Sequence, residues 1–201
     1  LDPNKGLTVV EIMNAINEGE IKGMYVMGEN PAMSDPDQAH ARAALSVLDH
    51  LVVQDIFFTE TAWFADVIFP ASAQAEKLGT YTNSNRQVQL GRPVVDMPGD
   101  ARQDWELIVE LAKRCGLDWS YKHVSEVYTE MASHMESLDN ISWSRLEKES
   151  SVCYPSFATD LPGEEIIFFS GFPTSTGKAK IVPTDLLPPD ELPDKEYPLV
   201  L

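Results

Sequence analysis

Apolar residues fall along this chain first at helical spacing and then in short continuous runs. Val9, Ile12, Met13 and Ile16 form a stripe of helical period. Thr8 and Glu11 stand ahead of it at capping-box spacing and Gly19 suits the exit, which predicts a helix over 7–17. Gly23 to Met27 is an apolar run closing in Gly28-Glu29-Asn30-Pro31, a strand followed by a loop. Asp35-Pro36 reads as an N-cap with proline at the first helical position, opening a helix through Ala39, Ala43, Ala44 and Val47 to Leu48. Leu51 to Asp55 is the next strand, completing a β-α-β unit of about thirty residues.

Thr59 is expected to cap a short helix through Ala62 to Phe64, and Asp66 to Pro70 to form a third strand. Ser72 to Arg86 has few aliphatics and reads as an ordered loop, long enough to carry function. Asp100 and Gln103 have capping-box spacing for a helix through Trp105, Ile108, Val109 and Leu111 to Cys115, with Gly116 as its stop. Further helices are predicted over 123–135 and 143–148. Glu165 to Ser170 and Ala179 to Val182 read as strands joined by a Gly-containing turn. Pro183, Pro188, Pro189, Pro193 and Pro198 mark an extended linker. The fold class is therefore α/β, a mainly parallel sheet flanked by helices with a small helical and β C-terminal extension. The continuous runs Val52-Val53 and Val67-Ile68-Phe69 are those expected of strands buried on both faces. The expected organisation is an α/β domain over 1–118, its extension over 119–182, and a linker over 183–201.

The 201 residues carry 15 Lys and Arg against 32 Asp and Glu, a formal charge of −17. That balance argues against binding a nucleic-acid backbone or an anionic membrane. It leaves room for an anionic ligand held locally by backbone N–H groups. With 43% hydrophobic residues the chain can fill a core. It has no apolar run long enough for a membrane span. Cys115 and Cys153 make neither metal-ligand nor disulfide spacing and read as free thiols, with a cytoplasmic location expected. The sequence begins with Leu1 rather than Met, so an internal piece of a longer subunit is expected.

In open α/β sheets, ligands bind off the carboxyl ends of the strands, at a switch point in strand order. The loop after the first strand, with Gly28, Glu29, Asn30 and Ser34, leads into a helix N-terminus and can cradle phosphate, although it is no G-x-G-x-x-G fingerprint. Asp55 ends the second strand where dinucleotide folds put the acid that holds ribose, or else it caps the next turn. Asp104 lies in the first turn of its helix, where it serves the helix dipole or accepts from a guanine edge. Lys77 is a phosphate partner or a solvated loop lysine. His40, His50, His123 and His134 show no metal-ligand spacing, and no nucleophile–base pattern stands out, so no catalytic or metal residue is assigned.

The strings Met24-Tyr25-Val26-Met27-Gly28-Glu29-Asn30-Pro31, Val52-Val53-Gln54-Asp55-Ile56-Phe57, Thr59-Glu60-Thr61-Ala62 and Ala65-Asp66-Val67-Ile68-Phe69-Pro70 together resemble the molybdopterin oxidoreductase family. Glu76-Lys77-Leu78-Gly79-Thr80, Thr82-Asn83-Ser84-Asn85-Arg86 and Asp104-Trp105-Glu106 continue the series. Its wording most resembles the alpha subunit of NAD-dependent, molybdenum-containing formate dehydrogenases. The closing run Glu196 to Leu201 is similar to the approach to that family's last domain.

The resemblance implies one of two Rossmann-like halves of a subunit holding molybdenum through two molybdopterin guanine dinucleotides. By position, Asn30, Gln54, Asp55, Lys77 and Asp104 match family residues that contact the cofactor, and Gly28, Glu29 and Ser34 line the same first loop. Asp55 would take the ribose, Asp104 the guanine edge, Gln54 and Asn30 the diphosphate and sugar, and Lys77 a phosphate. The metal ligand, its neighbouring His and Arg, and the iron–sulfur cysteines are expected outside this sequence. The implied partners are further domains of the same subunit, and iron–sulfur and flavin-containing NAD-reducing subunits. The piece alone is expected to be inactive and to bind no cofactor by itself. A nitrate reductase-like enzyme and a metal-free scaffold of a respiratory complex are the competing readings.

Overall fold

Thr8 opens the first helix of the computed structural model, which describes residues 3–187 and 192–199. Its hydroxyl accepts from the Glu11 N–H, and the Glu11 carboxylate accepts from the Thr8 N–H at 2.6 Å. α1 (Val9–Asn17) thus begins in the predicted capping box. Hydrogen bonds from the Thr8 backbone and hydroxyl hold the Glu11 carboxyl below its usual range. Gly19, at φ +78°, turns the chain out of the helix.

β1 (Gly23–Met27) falls where the sequence puts it. Two helices then replace the expected one: a single turn, α2 (Pro31–Ser34), and α3 (Gln38–Ser46). The cap moves from Asp35 to Asp37, whose carboxylate accepts from the His40 N–H at 3.0 Å. Pro36 is the reason, because a proline disfavours helical backbone in the residue before it. Asp35 is accordingly extended, at ψ 134°. The proline that does start a helix is Pro31.

β2 (His50–Asp55) and β3 (Val67–Pro70) complete a parallel sheet in the order β1-β2-β3. A 3-10 turn at Ala62–Phe64 precedes β3, with the Thr59 hydroxyl accepting from the Ala62 N–H at 3.3 Å. On one face Val26, Leu51 and Val53 pack with Ala32, Leu45 and Ala62. Met13 and Ile16 of α1 meet Ala41 and Ala44 of α3 on the same side. Burying each large aliphatic here contributes about 1.5–3 kcal/mol. On the opposite face Tyr25, Met27 and Val67 remain partly exposed. The expectation of strands covered on both faces is corrected accordingly, since α1 to α3 cover one.

Ser72 to Arg86 is not the plain ordered loop expected. After a 3-10 turn at Gln74–Glu76 it forms β4 (Gly79–Thr82), antiparallel to β5 (Gln87–Gly91). Thr80, Tyr81 and Thr82 favour strands without forming an aliphatic run, and that hid them. α4 (Asp104–Arg114), α5 (Val124–Ser133), α6 (Trp143–Glu149) and β6 (Ser151–Cys153) follow, β6 pairing with β5. The second core joins Val88 and Leu90 to Tyr128, Ile141, Leu146 and Val152. Burial pushes the Tyr128 phenol up to about 12. α4 stops at Cys115 and Gly116 as predicted, but the capping box of Asp100 and Gln103 does not form. Arg102 instead bridges Ala71 in parallel, and its N–H bonds the Pro70 carbonyl at 3.1 Å. That pairing keeps the approach to Gln103 extended.

The guanidinium of Arg145 is buried in this layer. Nε bonds Glu149 at 2.9 Å, and Nη1 reaches the Asn140 carbonyl at 2.9 Å, the Ser156 hydroxyl at 2.8 Å and the Ala158 carbonyl at 3.1 Å. Nη2 donates to the Leu161 carbonyl at 2.6 Å.

The chain divides into two compact units between Glu164 and Glu165. In the second, the predicted strands over 165–170 and 179–182 are absent from the described residues, which take turns and irregular backbone. The turn between them is closed by the Phe172 N–H on the Gly177 carbonyl at 3.1 Å. Phe168 at φ +62° interrupts the first run, and a two-stranded ribbon is marginal in water by itself. Pro183, Pro193 and Pro198 lie in irregular backbone, while Pro188, Pro189, Val200 and Leu201 lie outside the described residues. No helix among the described residues is long and apolar enough to cross a membrane.

Candidate functional site

The three parallel strands end together, and every residue singled out from the sequence lies at that edge. Gly28, Glu29, Asn30 and Ser34 follow β1, Gln54 and Asp55 end β2, and Lys77 lies in the segment after β3. Asp104 opens α4, which the Ala71–Arg102 bridge returns to the same edge. Strand order runs straight from β1 to β3, so the site is set by the edge rather than by an order reversal among the described strands.

Gln54, Lys77 and Asp104 form one cluster. Gln54 is 0% exposed, and its Nε2 donates to Asp104 Oδ1 at 2.7 Å. Lys77 Nζ pairs with Asp104 Oδ2 and also donates to the Ser72 carbonyl at 2.9 Å. The Lys77 and Asp104 side chains keep 23% and 28% of their exposure, so the pair is open on one side. The Tyr25 hydroxyl donates to Gln54 Oε1. Burial, then the Asp104 charge, raises the Tyr25 phenol above its ordinary value, and burial raises that of Tyr81 nearby. A pocket of about 220 Å³ opens beside this cluster, lined by Lys77, Tyr81, Asp104, Trp105, Val127 and Met131.

Asn30 belongs to a second network. Its Oδ1 accepts from the Thr61 N–H at 3.0 Å and the Thr61 hydroxyl at 2.8 Å, and its Nδ2 donates to Glu60 at 2.7 Å. That donor holds the Glu60 carboxyl below its usual range. Thr61 in turn accepts from the Ala32 N–H at 3.1 Å. The N–H groups of Met33 and Ser34 go to the Asn30 carbonyl, and Pro31 has none. The single turn of α2 therefore spends these donors on Asn30 and Thr61. Asp55 Oδ1 accepts from the Ile56 and Phe57 N–H groups at 2.7 and 3.3 Å, an Asx turn that leaves Oδ2 without a partner in that turn. Gly28 is at φ +65°, and its N–H bonds the Gln54 carbonyl at 2.9 Å. Gly28, Glu29 and Ser34 are exposed, and a pocket of about 470 Å³ follows the loop past Tyr25, Met27, Glu29 and Ser34.

Sequence reasoning missed Tyr25, Thr61 and Ser72. Tyr25 is the polar group inside an otherwise apolar strand, a signal that points to a buried partner. Thr61 and Ser72 carry no such signal.

Three buried side-chain atoms among the described residues lack a hydrogen-bond partner: Ser72 Oγ, Gln103 Oε1 and Trp105 Nε1. Two flank Asp104 in sequence, and the third belongs to the residue whose carbonyl holds Lys77. Buried polar atoms are ordinarily bonded, so this concentration fits a polar ligand beside Asp104 and Lys77. An acceptor carboxylate and an ammonium suit a nucleotide with a donor edge and phosphates. No three His, Cys, Asp or Glu side chains gather as a metal-ligand set among the described residues.

The family model of molybdopterin oxidoreductases matches residues 1–114. An F420-dependent formate dehydrogenase subunit alpha of Methanocaldococcus jannaschii is 42% identical over 203 residues, spanning 100% of this chain and 30% of that protein. The F420-dependent formate dehydrogenase 1 subunit alpha of Methanococcus maripaludis is 38% identical over 203 residues, with the same coverage of 100% and 30%. The chain thus spans under a third of the length of these relatives. The solved structure of acetylene hydratase from Pelobacter acetylenicus covers 84% of this chain with a TM-score of 0.61 at 23% identity, and 23% of its own chain is matched. That likeness shows the α/β fold. The chain belongs to the molybdopterin oxidoreductase family and is related to the alpha subunits of formate dehydrogenases.

Proposed function

We propose that this chain is the part of a molybdenum formate dehydrogenase alpha subunit that binds one guanine dinucleotide arm of a bis(molybdopterin guanine dinucleotide) cofactor. The observation that carries the reading is the half-open Gln54–Asp104–Lys77 cluster with orphaned polar atoms around it. Asp104 would accept from the guanine edge, and Lys77 would neutralise phosphate. Asp55 would offer its free carboxylate oxygen to ribose. Gly28, Glu29 and Ser34 would line the path of the dinucleotide. The Asn30 and Gln54 amides are engaged inside the chain, so here they hold loops and carboxylates in place for the ligand. The bound group would supply the two-electron oxidation of formate to carbon dioxide. This chain's residues would only bind and orient it.

Electrons would leave through iron–sulfur clusters toward NAD on flavin-containing partner subunits, in the cytoplasm. The names of both archaeal relatives favour F420 as a second reading of the acceptor. Assaying formate oxidation by the native complex with NAD and with F420 separates the two. The cofactor reading is tested on the full-length subunit by measuring molybdenum and the guanine nucleotide released by hydrolysis. Asp104→Ala is expected to lower both, and full loading in that variant overturns the role of Asp104. A native subunit without molybdenum or tungsten would favour the scaffold reading.

A further inference from the structure

The Tyr25 phenol, the Gln54 amide and the Asp104 carboxylate form a hydrogen-bonded chain whose polarity is forced at each link. The carboxylate can only accept, so the Gln54 group facing it at 2.7 Å is Nε2–H. The other end of the amide is then Oε1, an acceptor, so the Tyr25 hydroxyl must donate to it. Gln54 is 0% exposed and has no surface to offer a ligand, whereas Asp104 keeps 28% of its side-chain exposure. Tyr25 reaches Gln54 from β1, with its ring tilted against Phe69 at 6.5 Å.

We infer that Tyr25 and Gln54 are positioning residues that fix which lone pairs of Asp104 face the ligand. The inference rests on the guanine-edge role of Asp104 proposed above. A carboxylate oxygen carries two acceptor sites. Gln54 occupies one on Oδ1 and Lys77 one on Oδ2, which leaves one on each oxygen for a pair of parallel N–H donors. Guanine presents such a pair on its N1–H and exocyclic amine. If the Tyr25 donor is lost, the Gln54 amide can flip and turn its oxygen on the carboxylate. Burial, then the Asp104 charge, raises the Tyr25 phenol above its ordinary value, so the donor is present at neutral pH.

The test measures the rate at which the full-length holo subunit loses its intact dinucleotide cofactor, followed as guanine nucleotide recovered by acid hydrolysis of the released fraction, in wild type, Tyr25→Phe, Gln54→Glu and Asp104→Ala. Tyr25→Phe changes a partly exposed ring, preserves the fold, and should speed release about three- to tenfold. Gln54→Glu should release at close to the wild-type rate at acid pH, where a neutral carboxyl still donates to Asp104. As pH rises and the introduced carboxyl ionises against Asp104, release should become about tenfold faster, opposed only by Lys77. Tyr25 and Tyr81, the other titratable groups at this point, remain neutral through that range. Wild type should be flat with pH, and loss of packing alone would not create a pH profile. Release at the wild-type rate by Tyr25→Phe, together with a flat profile in Gln54→Glu, while Asp104→Ala releases fast, overturns the positioning roles. Unchanged release in Asp104→Ala overturns the guanine reading beneath them.

Discussion

Arg145 and the Lys77–Asp104 pair are both charged groups drawn into the protein, and they are completed to different degrees. Arg145 keeps 6% of its side-chain exposure and spends its donors on Glu149, Ser156 and the carbonyls of Asn140, Ala158 and Leu161. No buried side-chain atom at that hub lacks a partner among the described residues. Lys77 and Asp104 keep about four times that exposure, with Ser72, Gln103 and Trp105 each holding an unpartnered atom around them. A charge closed on itself holds a fold, and one with spare capacity can hold a ligand. Arg145 therefore reads as the strut of the segment over 156–161, and Asp104 as part of a site.

The largest effect should separate the two directly. Arg145→Ala leaves the carbonyls of Asn140 and Leu161 and the Ser156 hydroxyl without their Arg145 donor and should cost about 3 kcal/mol, read from urea unfolding of the purified chain. A cost below about 1 kcal/mol would remove the contrast. A smaller effect is expected at the N-terminus of α1, whose cap bonds to neither centre. Thr8→Ala should cost about 1 kcal/mol at neutral pH. Because the folded-state Glu11 carboxyl is held below its ordinary range, its contribution is complete above that range and fades as pH falls through the lowered value. Thr8→Ala should therefore also blunt the acid dependence of unfolding. Smallest of all, Lys77→Ala should change stability by less than about 1 kcal/mol, the scale of a partly exposed pair. If Lys77→Ala destabilises as much as Arg145→Ala, the pair is a strut as well.

Legibility in the sequence followed the kind of signal each element carries. α1 and β1 were readable to within a residue or two, because a capping box and an apolar run are local and unopposed. β4 and β5 were not, since Thr80-Tyr81-Thr82 and Gln87-Val88-Gln89 gain their strand character from each other across the pair. Ile166 to Phe169 erred the other way: it has the composition of a strand, and without a covering partner composition did not suffice. At the site, the strand end announced Asp55 and helix position announced Asp104, whereas Gln54 came only with the family resemblance. The inward turn of Gln54 and the arrival of Tyr25 depend on sheet register, where Met27 is paired with Gln54, and no short motif encodes that.

The parallel bridge between Ala71 and Arg102 has a consequence for variation in length. The chain leaves the sheet edge at Ala71, runs out through the β4–β5 hairpin, and comes back to its point of departure thirty-one positions later. An excursion pinned at its root behaves as an insert. Residues added or lost at its far tip, around Asn83 to Asn85, would be absorbed there and leave Asp104 on its mark. The same change placed between Arg102 and Asp104 would shift the carboxylate off its partners.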